Sequence, residues 1–197
     1  YISSHFREPV DIASSSLSEQ QAVYGGAANL KQGIKNVVAK YSPSILGVAT
    51  TCLAETIGDD VRMAISELME EEPALREITI VPVSTPSYSG GHMDGFNDSC
   101  VAILEKLAES EDDSGGINLF PGFISPADLR YLKEIMNAFG VEPMVLPDIS
   151  DTLDGVIDGS LTRIPVGGTR PGDIRLAGSS AASLEFGRSI PENQSAA

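Results

Sequence analysis

An α/β fold is predicted for this chain, with Rossmann-like units wound about a doubly wound parallel sheet. Two observations carry the prediction. Short apolar runs alternate with amphipathic helical stretches, strand then helix then strand, at the spacing of βαβ units. Glycines and prolines gather directly after the apolar runs. In an open α/β sheet that edge binds ligands, and a residue without Cβ lets backbone approach a bound group.

The elements follow in order. Residues 1–24 lack a period and read as irregular, with a hydroxyl cluster at Ser14, Ser15 and Ser16 suited to capping a helix. Gly25-Gly26 precedes a helical pattern from about Ala28 to Lys40, where Leu30, Ile34, Val37 and Val38 share a face. Ile45 to Ala49, bounded by Ser42-Pro43, reads as a buried strand. Asp59 or Asp60 caps a helix from about Asp60 to Glu71, striped by Val61, Ile65, Leu68 and Met69. A second strand spans 77–83, and a loop through Gly90-Gly91 leads to a helix from about Gly95 to Ala108 with Val101, Ile103, Leu104 and Leu107.

Ile117 to Phe120 forms a third strand, closed by Pro121-Gly122. Ser125-Pro126 is a helix start, with a cap and then proline at the first helical position. That helix runs to Phe139 and stops at Gly140. Pro143 to Leu146 is a fourth strand, Pro147 to Gly155 a loop, and Gly167-Gly168-Thr169 a turn. A last helix starts near Pro171 or Asp173 and runs to about Arg188, and the tail from Pro191 reads as disordered. The expected organisation is an amino-terminal segment and helix over 1–43, an α/β region over 44–190 and a disordered tail over 191–197.

Composition bounds the function. The chain has 197 residues and 42% hydrophobic content, as an ordinary globular protein does. Its net charge of -15 disfavours a nucleic-acid partner, which needs a basic footprint. Glu67, Glu70, Glu71 and Glu72 cluster, as do Glu109, Glu111, Asp112 and Asp113; these read as solvated helix ends and loops, or as a docking surface for a basic partner. No apolar stretch reaches the roughly 18 residues that span a bilayer, and no apolar segment follows a basic start as in a signal peptide. A start at Tyr1, in what reads as mid-motif, fits a fragment of a larger subunit. Only two cysteines occur, too few for a secreted disulfide scaffold, so a reducing cytoplasm is expected. With two histidines beside them they form no zinc spacing, so any metal site needs ligands from elsewhere. No Gly-Lys-Ser/Thr phosphate loop is present, so the chain itself should not hydrolyse ATP.

The candidate site follows from the first two strands. Cys52 lies just after the first and Ser87 just after the second, in Thr85-Pro86-Ser87-Tyr88. Parallel pairing of these strands would bring both side chains to one edge. Thiolate is the usual protein ligand of iron–sulfur clusters, while a buried structural cysteine is the alternative for Cys52. A serine alkoxide can ligate oxidised iron, while a solvated turn serine is the alternative for Ser87. Cys100 falls in an apolar helical pattern and reads as core. Glu55, Asp59 and Asp60 read as acid–base or metal groups, or as caps at the positive end of a helix. His92, beside two glycines, reads as a loop residue with proton relay or metal binding as the other possibility. His5 and Arg7 are expected to hold the amino-terminal segment against a partner.

Several motifs in order carry a resemblance: His5-Phe6-Arg7-Glu8-Pro9, Ser14-Ser15-Ser16, Gly25-Gly26, Thr50-Thr51-Cys52-Leu53-Ala54-Glu55-Thr56-Ile57-Gly58-Asp59-Asp60 and Thr85-Pro86-Ser87-Tyr88. The chain resembles the nitrogenase component 1 family, in its beta-type branch, over nearly all of residues 1–190. The segments Phe120 to Glu134, Leu146 to Gly155 and Gly167 to Arg170 resemble the scaffold type, NifN, of iron–molybdenum cofactor biosynthesis. That resemblance implies a nitrogen-fixation scaffold holding iron–sulfur clusters and an iron–molybdenum cofactor precursor. It implies a heterotetramer with a NifE-like partner subunit, served by an ATP-dependent iron-protein reductase. The catalytic beta subunit of the oxidoreductase, NifK, is the alternative. There the positions matching Cys52 and Ser87 contribute to the eight-iron P-cluster, an electron relay. In the scaffold the cluster cysteine lies upstream of His5, some members lack a cysteine at the position of Cys52, and the cluster has four irons. A third alternative, from another class, is a metal-free α/β module that binds a small molecule.

Overall fold

The computed structural model describes residues 12–110, 115–152, 154, 167–187 and 190–197. By compactness the chain divides into Ile12–Asp98 and a second unit that contains Ser99–Ala197, rather than at 43/44. Each unit holds parallel strands and helices, as the α/β prediction requires, but the strands form two separate sheets.

In the unit Ile12–Asp98 the elements are α1 (Glu19–Tyr24), α2 (Ala27–Tyr41), β1 (Ile45–Ala49), α3 (Cys52–Ile57), α4 (Val61–Glu71) and β2 (Thr79–Val83). Helix α5 (His92–Leu107) begins within this unit, and the boundary at Asp98 falls inside it. β1 and β2 pair in parallel from Ile45 opposite Thr79 to Ala49 opposite Val83. Strands aligned this way end side by side, so the chain leaves both at the same edge.

The core here is Ile34, Ile65, Leu68, Leu75 and Ile80, with Leu30, Val38, Leu46, Val48, Val61 and Met69 packed on it. The stripes predicted for α2 and α4 are therefore the buried faces, with Val37 outside the cluster. β1 is less buried than expected. Leu46 and Val48 meet the core, but Gly47 and Ala49 are exposed, because among the described residues β1 pairs with β2 alone. Asp60 caps α4 through a 2.8 Å hydrogen bond from Met63 N–H. The acidic face of α4 is partly paired: Lys31 lies 2.9 Å from Glu67 and 2.7 Å from Glu71, and Lys35 lies 2.8 Å from Glu72.

Two local expectations fail in this unit. Residues 1–24 are not wholly irregular, since Ser18 and Gln21 form a capping box that starts α1. The expected cap role of Ser14 to Ser16 passes to Ser18, one turn later. His92 is the first residue of α5 rather than part of the loop, and α5 starts three residues before the expected Gly95.

The second unit contains β3 (Ile117–Phe120), α6 (Pro126–Ala138), β4 (Met144–Val145), α7 (Pro171–Arg175) and β5 (Ala182–Glu185). The strand order is β4-β3-β5, all parallel. Leu119, Leu129 and Val145 make one cluster of its core, with Ile124, Leu132, Met136 and Ile149 around them. Ser125 caps α6 by accepting from Asp128 N–H at 3.1 Å. Gly140 takes a left-handed φ of 75° just past the helix, as its stop role requires.

The helix expected from Pro171 to about Arg188 is wrong beyond Arg175. It passes into a 3-10 turn at Leu176–Ser179 and then into β5. Asn118 explains the turn: buried in β3, it donates to Ala177 O at 2.9 Å and to Ser183 Oγ at 3.1 Å, and accepts from Ser180 Oγ at 2.8 Å. Those bonds need an extended chain beside β3. A 3-10 turn at Glu192–Gln194 follows in the tail, and Ser195 Oγ donates to Glu185 at 2.6 Å.

Candidate functional site

Parallel pairing of β1 with β2 sets the site. The chain turns off β1 at Thr50, Thr51 stands at the N-cap position of α3 without a side-chain cap bond, and Cys52 is the first residue of that helix. Off β2, Ser84 and Thr85 lead to Ser87. The two predicted site residues meet: Cys52 Sγ lies 2.8 Å from Ser87 Oγ, and Ser87 N–H donates to the same sulfur at 3.2 Å. Cys52 is half-buried and Ser87 exposed. These bonds, the Ser87 hydroxyl foremost, hold the Cys52 thiol below its ordinary pKa, since a hydrogen bond to the thiolate favours the charged form.

The loops are joined by more than this contact. Glu55 Oε1 accepts from Thr50 Oγ1 at 2.5 Å and from Ser84 Oγ at 2.6 Å. The Ser84 bond, followed by that from Thr50, holds the Glu55 carboxyl below its usual range. Thr85 N–H donates to Thr50 Oγ1 at 3.0 Å, and Thr85 Oγ1 to Thr50 O at 2.8 Å. Glu55 therefore accepts from a hydroxyl of each turn rather than capping a helix. Asp59 does not cap α4 either; it accepts the Gly26 N–H at 3.0 and 2.9 Å, at the start of α2. A Cβ on Gly26 would fall 2.6 Å from Leu17 Cδ2 and 2.7 Å from Asp59 Oδ2, so a larger residue there needs those side chains to shift. A small cavity beneath the turn is lined by Ser15, Gly26, Thr50, Thr51 and Asp59.

Cys100 is buried, and burial above all, with Glu185 adding to it, pushes its thiol up to about 11. It is a core residue. His92 is exposed at the start of α5. His5 and Arg7, the rest of the His5–Pro9 motif, and Glu111, Asp112 and Asp113 fall outside the described residues. Among the described residues no three His, Cys, Asp or Glu side chains converge as a metal site. The sequence analysis missed the braces through Thr50, Ser84 and Thr85. Their only signal was a Thr-Thr before Cys52 and a Ser-Thr after β2, which means nothing until the strands are paired. No described helix is long and apolar enough to cross a membrane.

The donor set is one activated thiol and one hydroxyl at the open rim of a parallel sheet. That chemistry fits an iron–sulfur cluster as part of a ligand shell and is too small to be the whole of one.

Comparison with known proteins gives the family of the chain. Residues 1–196 match the family described as nitrogenase component 1 type oxidoreductase. The chain is 37% identical over 187 residues to the nitrogenase molybdenum–iron protein beta chain of Clostridium pasteurianum, covering 94% of this chain and 41% of that one. It is 32% identical over 188 residues to the iron–molybdenum cofactor biosynthesis protein NifN of Nostoc, covering 94% and 42%. Among solved structures, "Nitrogenase Cp1 at pH 6.5" matches with a TM-score of 0.87 at 35% identity, over 92% of this chain and 40% of that one. The chain thus spans about two-fifths of the length of these relatives.

Proposed function

The chain belongs to the nitrogenase component 1 type oxidoreductases, in their beta type, and from that premise we propose that it forms one side of an iron–sulfur cluster site completed by a partner subunit. The observation that carries this is the 2.8 Å approach of Cys52 Sγ to Ser87 Oγ. Cys52 would ligate through its thiolate and Ser87 through its oxygen, with the other ligands coming from outside the described residues. A bound cluster supplies one-electron transfer at the rim of the sheet. The chain's own part is to favour the thiolate form of Cys52, through the hydrogen bonds from Ser87, and to hold both donors at one edge.

Within the family the geometry best supports the electron-relaying beta subunit, because a cysteine and a serine are both present and already in contact. That subunit would pair with an alpha-type partner and take electrons from an ATP-dependent iron-protein reductase, in the cytoplasm. A second reading keeps a specific support. The segments Phe120 to Glu134 and Leu146 to Gly155, and 32% identity to a NifN, favour the scaffold that matures the iron–molybdenum cofactor with a NifE-like partner.

Two experiments decide. Iron and acid-labile sulfide are measured on the full-length subunit purified with its partner, with Cys52→Ala and Cys100→Ala beside the parent. Cys52→Ala should lower bound iron and Cys100→Ala should not; unchanged iron in Cys52→Ala makes the cysteine structural. Deletion of the gene then separates the branches. If nitrogenase activity in the deletion extract returns on adding purified iron–molybdenum cofactor, the protein is the scaffold. If it does not return, the scaffold reading is wrong.

A further inference from the structure

We propose that Glu55 is a positioning residue of this site: one carboxylate oxygen ties the turn after β1 to the turn after β2, and so sets Cys52 against Ser87. The inference takes its purpose from the cluster reading above and its geometry from the fold alone. Glu55 follows Cys52 by three residues in α3, so the two side chains belong to one helical turn and move together. Its Oε1 receives both the Thr50 and the Ser84 hydroxyls, at 2.5 and 2.6 Å. Thr50 belongs to the turn that delivers Cys52, and Ser84 opens the turn that delivers Ser87. Thr85 closes the figure by bonding Thr50 twice, at 3.0 and 2.8 Å.

The arrangement differs from ordinary sheet closure. The last β1–β2 backbone bond of this edge is Thr50 N–H to Val83 O at 3.0 Å. Beyond it the strands have ended, and side chains carry the register for the next residues. Two donors on one ionised, half-buried oxygen make charge-assisted bonds, stronger than neutral ones. Neither hydroxyl is a candidate ligand, and Glu55 itself stays off the sulfur.

The test reads distance rather than activity. It uses the full-length subunit with its partner, stripped of metal, in a Ser87→Cys background. In a glutathione buffer the thiols at positions 52 and 87 close a disulfide; each bridge formed reduces one oxidised glutathione to two reduced ones. The bridged fraction, measured by mass spectrometry, gives the effective concentration of one thiol at the other. Glu55→Ala should lower that concentration about tenfold or more, the size of a lost charge-assisted hydrogen bond. Glu55→Gln, whose amide oxygen can take the same two donors without the charge, should fall between the parent background and Glu55→Ala. Slow alkylation of Cys100 in each variant checks that the fold survives. A Glu55→Ala value equal to the parent, or a Glu55→Gln value as low as Glu55→Ala, overturns the proposal. Iron analysis of the same complexes without Ser87→Cys reports on the cluster separately. A parent complex without iron would sink the cluster reading and leave the disulfide comparison standing.

Discussion

Cys52 and Cys100 differ in what surrounds the sulfur, and their reactivity should follow. Cys52 receives hydrogen bonds that favour thiolate, led by the Ser87 hydroxyl, whereas Cys100 is buried and its thiol is raised to about 11. Because the thiolate is the nucleophile, iodoacetamide should modify Cys52 first in the metal-free protein, with a pH midpoint below that of a free cysteine. Ser87→Ala should move that midpoint upward, and Cys100 should react only under alkaline or unfolding conditions. Peptide mapping across a pH series checks this; equal rates for the two cysteines would contradict it. Asp60 is a second residue-scale case. Its side chain takes the Met63 N–H, so Asp60→Ala should cost about 0.5–2 kcal/mol, read from urea unfolding.

At the scale of the element, the loop after β4 is held by charge. Lys133 Nζ lies 2.9 Å from Asp148 Oδ2, Ser150 donates to Asp148 Oδ1 through both N–H and hydroxyl, and Arg130 grips Asp154 at 3.0 and 2.8 Å. Burial pushes the Asp148 carboxyl up, but the bonds from Ser150 and Lys133 outweigh it and hold it below its ordinary value of 3.8; Arg130 does the same for Asp154. A carboxyl depressed on folding stabilises above its unfolded pKa and loses that contribution as pH falls through the folded one. The parent should therefore exceed Asp148→Asn in stability at pH 6, and the gap should narrow toward pH 3. A gap independent of pH in urea titrations would refute the coupling. The 3-10 turn before β5 adds a steric prediction. A Cβ on Gly178 would sit 2.6 Å from the Glu109 carbonyl oxygen, which backbone holds in place, so Gly178→Ala should cost about 1–3 kcal/mol.

At the scale of the whole molecule, each unit stands on its own small core. Leu68 and Leu129 are both wholly buried, in different units. Truncating either to alanine should cost about 2–5 kcal/mol, while Met63→Ala, on the exposed side of α4, should change little. Urea unfolding of the complete subunit compares them; a Met63→Ala cost equal to that of Leu68→Ala would contradict the assignment of the buried face. The chain carries a net charge of -15, and among the described residues part of the acidic charge is spent on exposed pairs such as Lys35 with Glu72. Exposed pairs contribute about 0–1 kcal/mol each, so the acidic surface governs solubility and encounter more than stability.

The sequence by itself determined the α/β class, the stripes of α2 and α4, the cap at Ser125, Asp59 or Asp60 as the cap of α4, and Cys52 and Ser87 as the pair to watch. Those features are local, because periodicity, capping chemistry and strand-end position can be read within a dozen residues. Tertiary structure alone decided three things. It divided the strands between two sheets. It turned Ala182–Glu185, a weakly strand-forming stretch, into β5 by pairing it with β3 and by the demands of the buried Asn118. It made Glu55 a bridge between turns rather than a helix cap, since its partner Ser84 lies 29 residues away and no local rule connects them. Long-range pairing decides which polar groups need each other, and that pairing is energetic information spread over the whole fold.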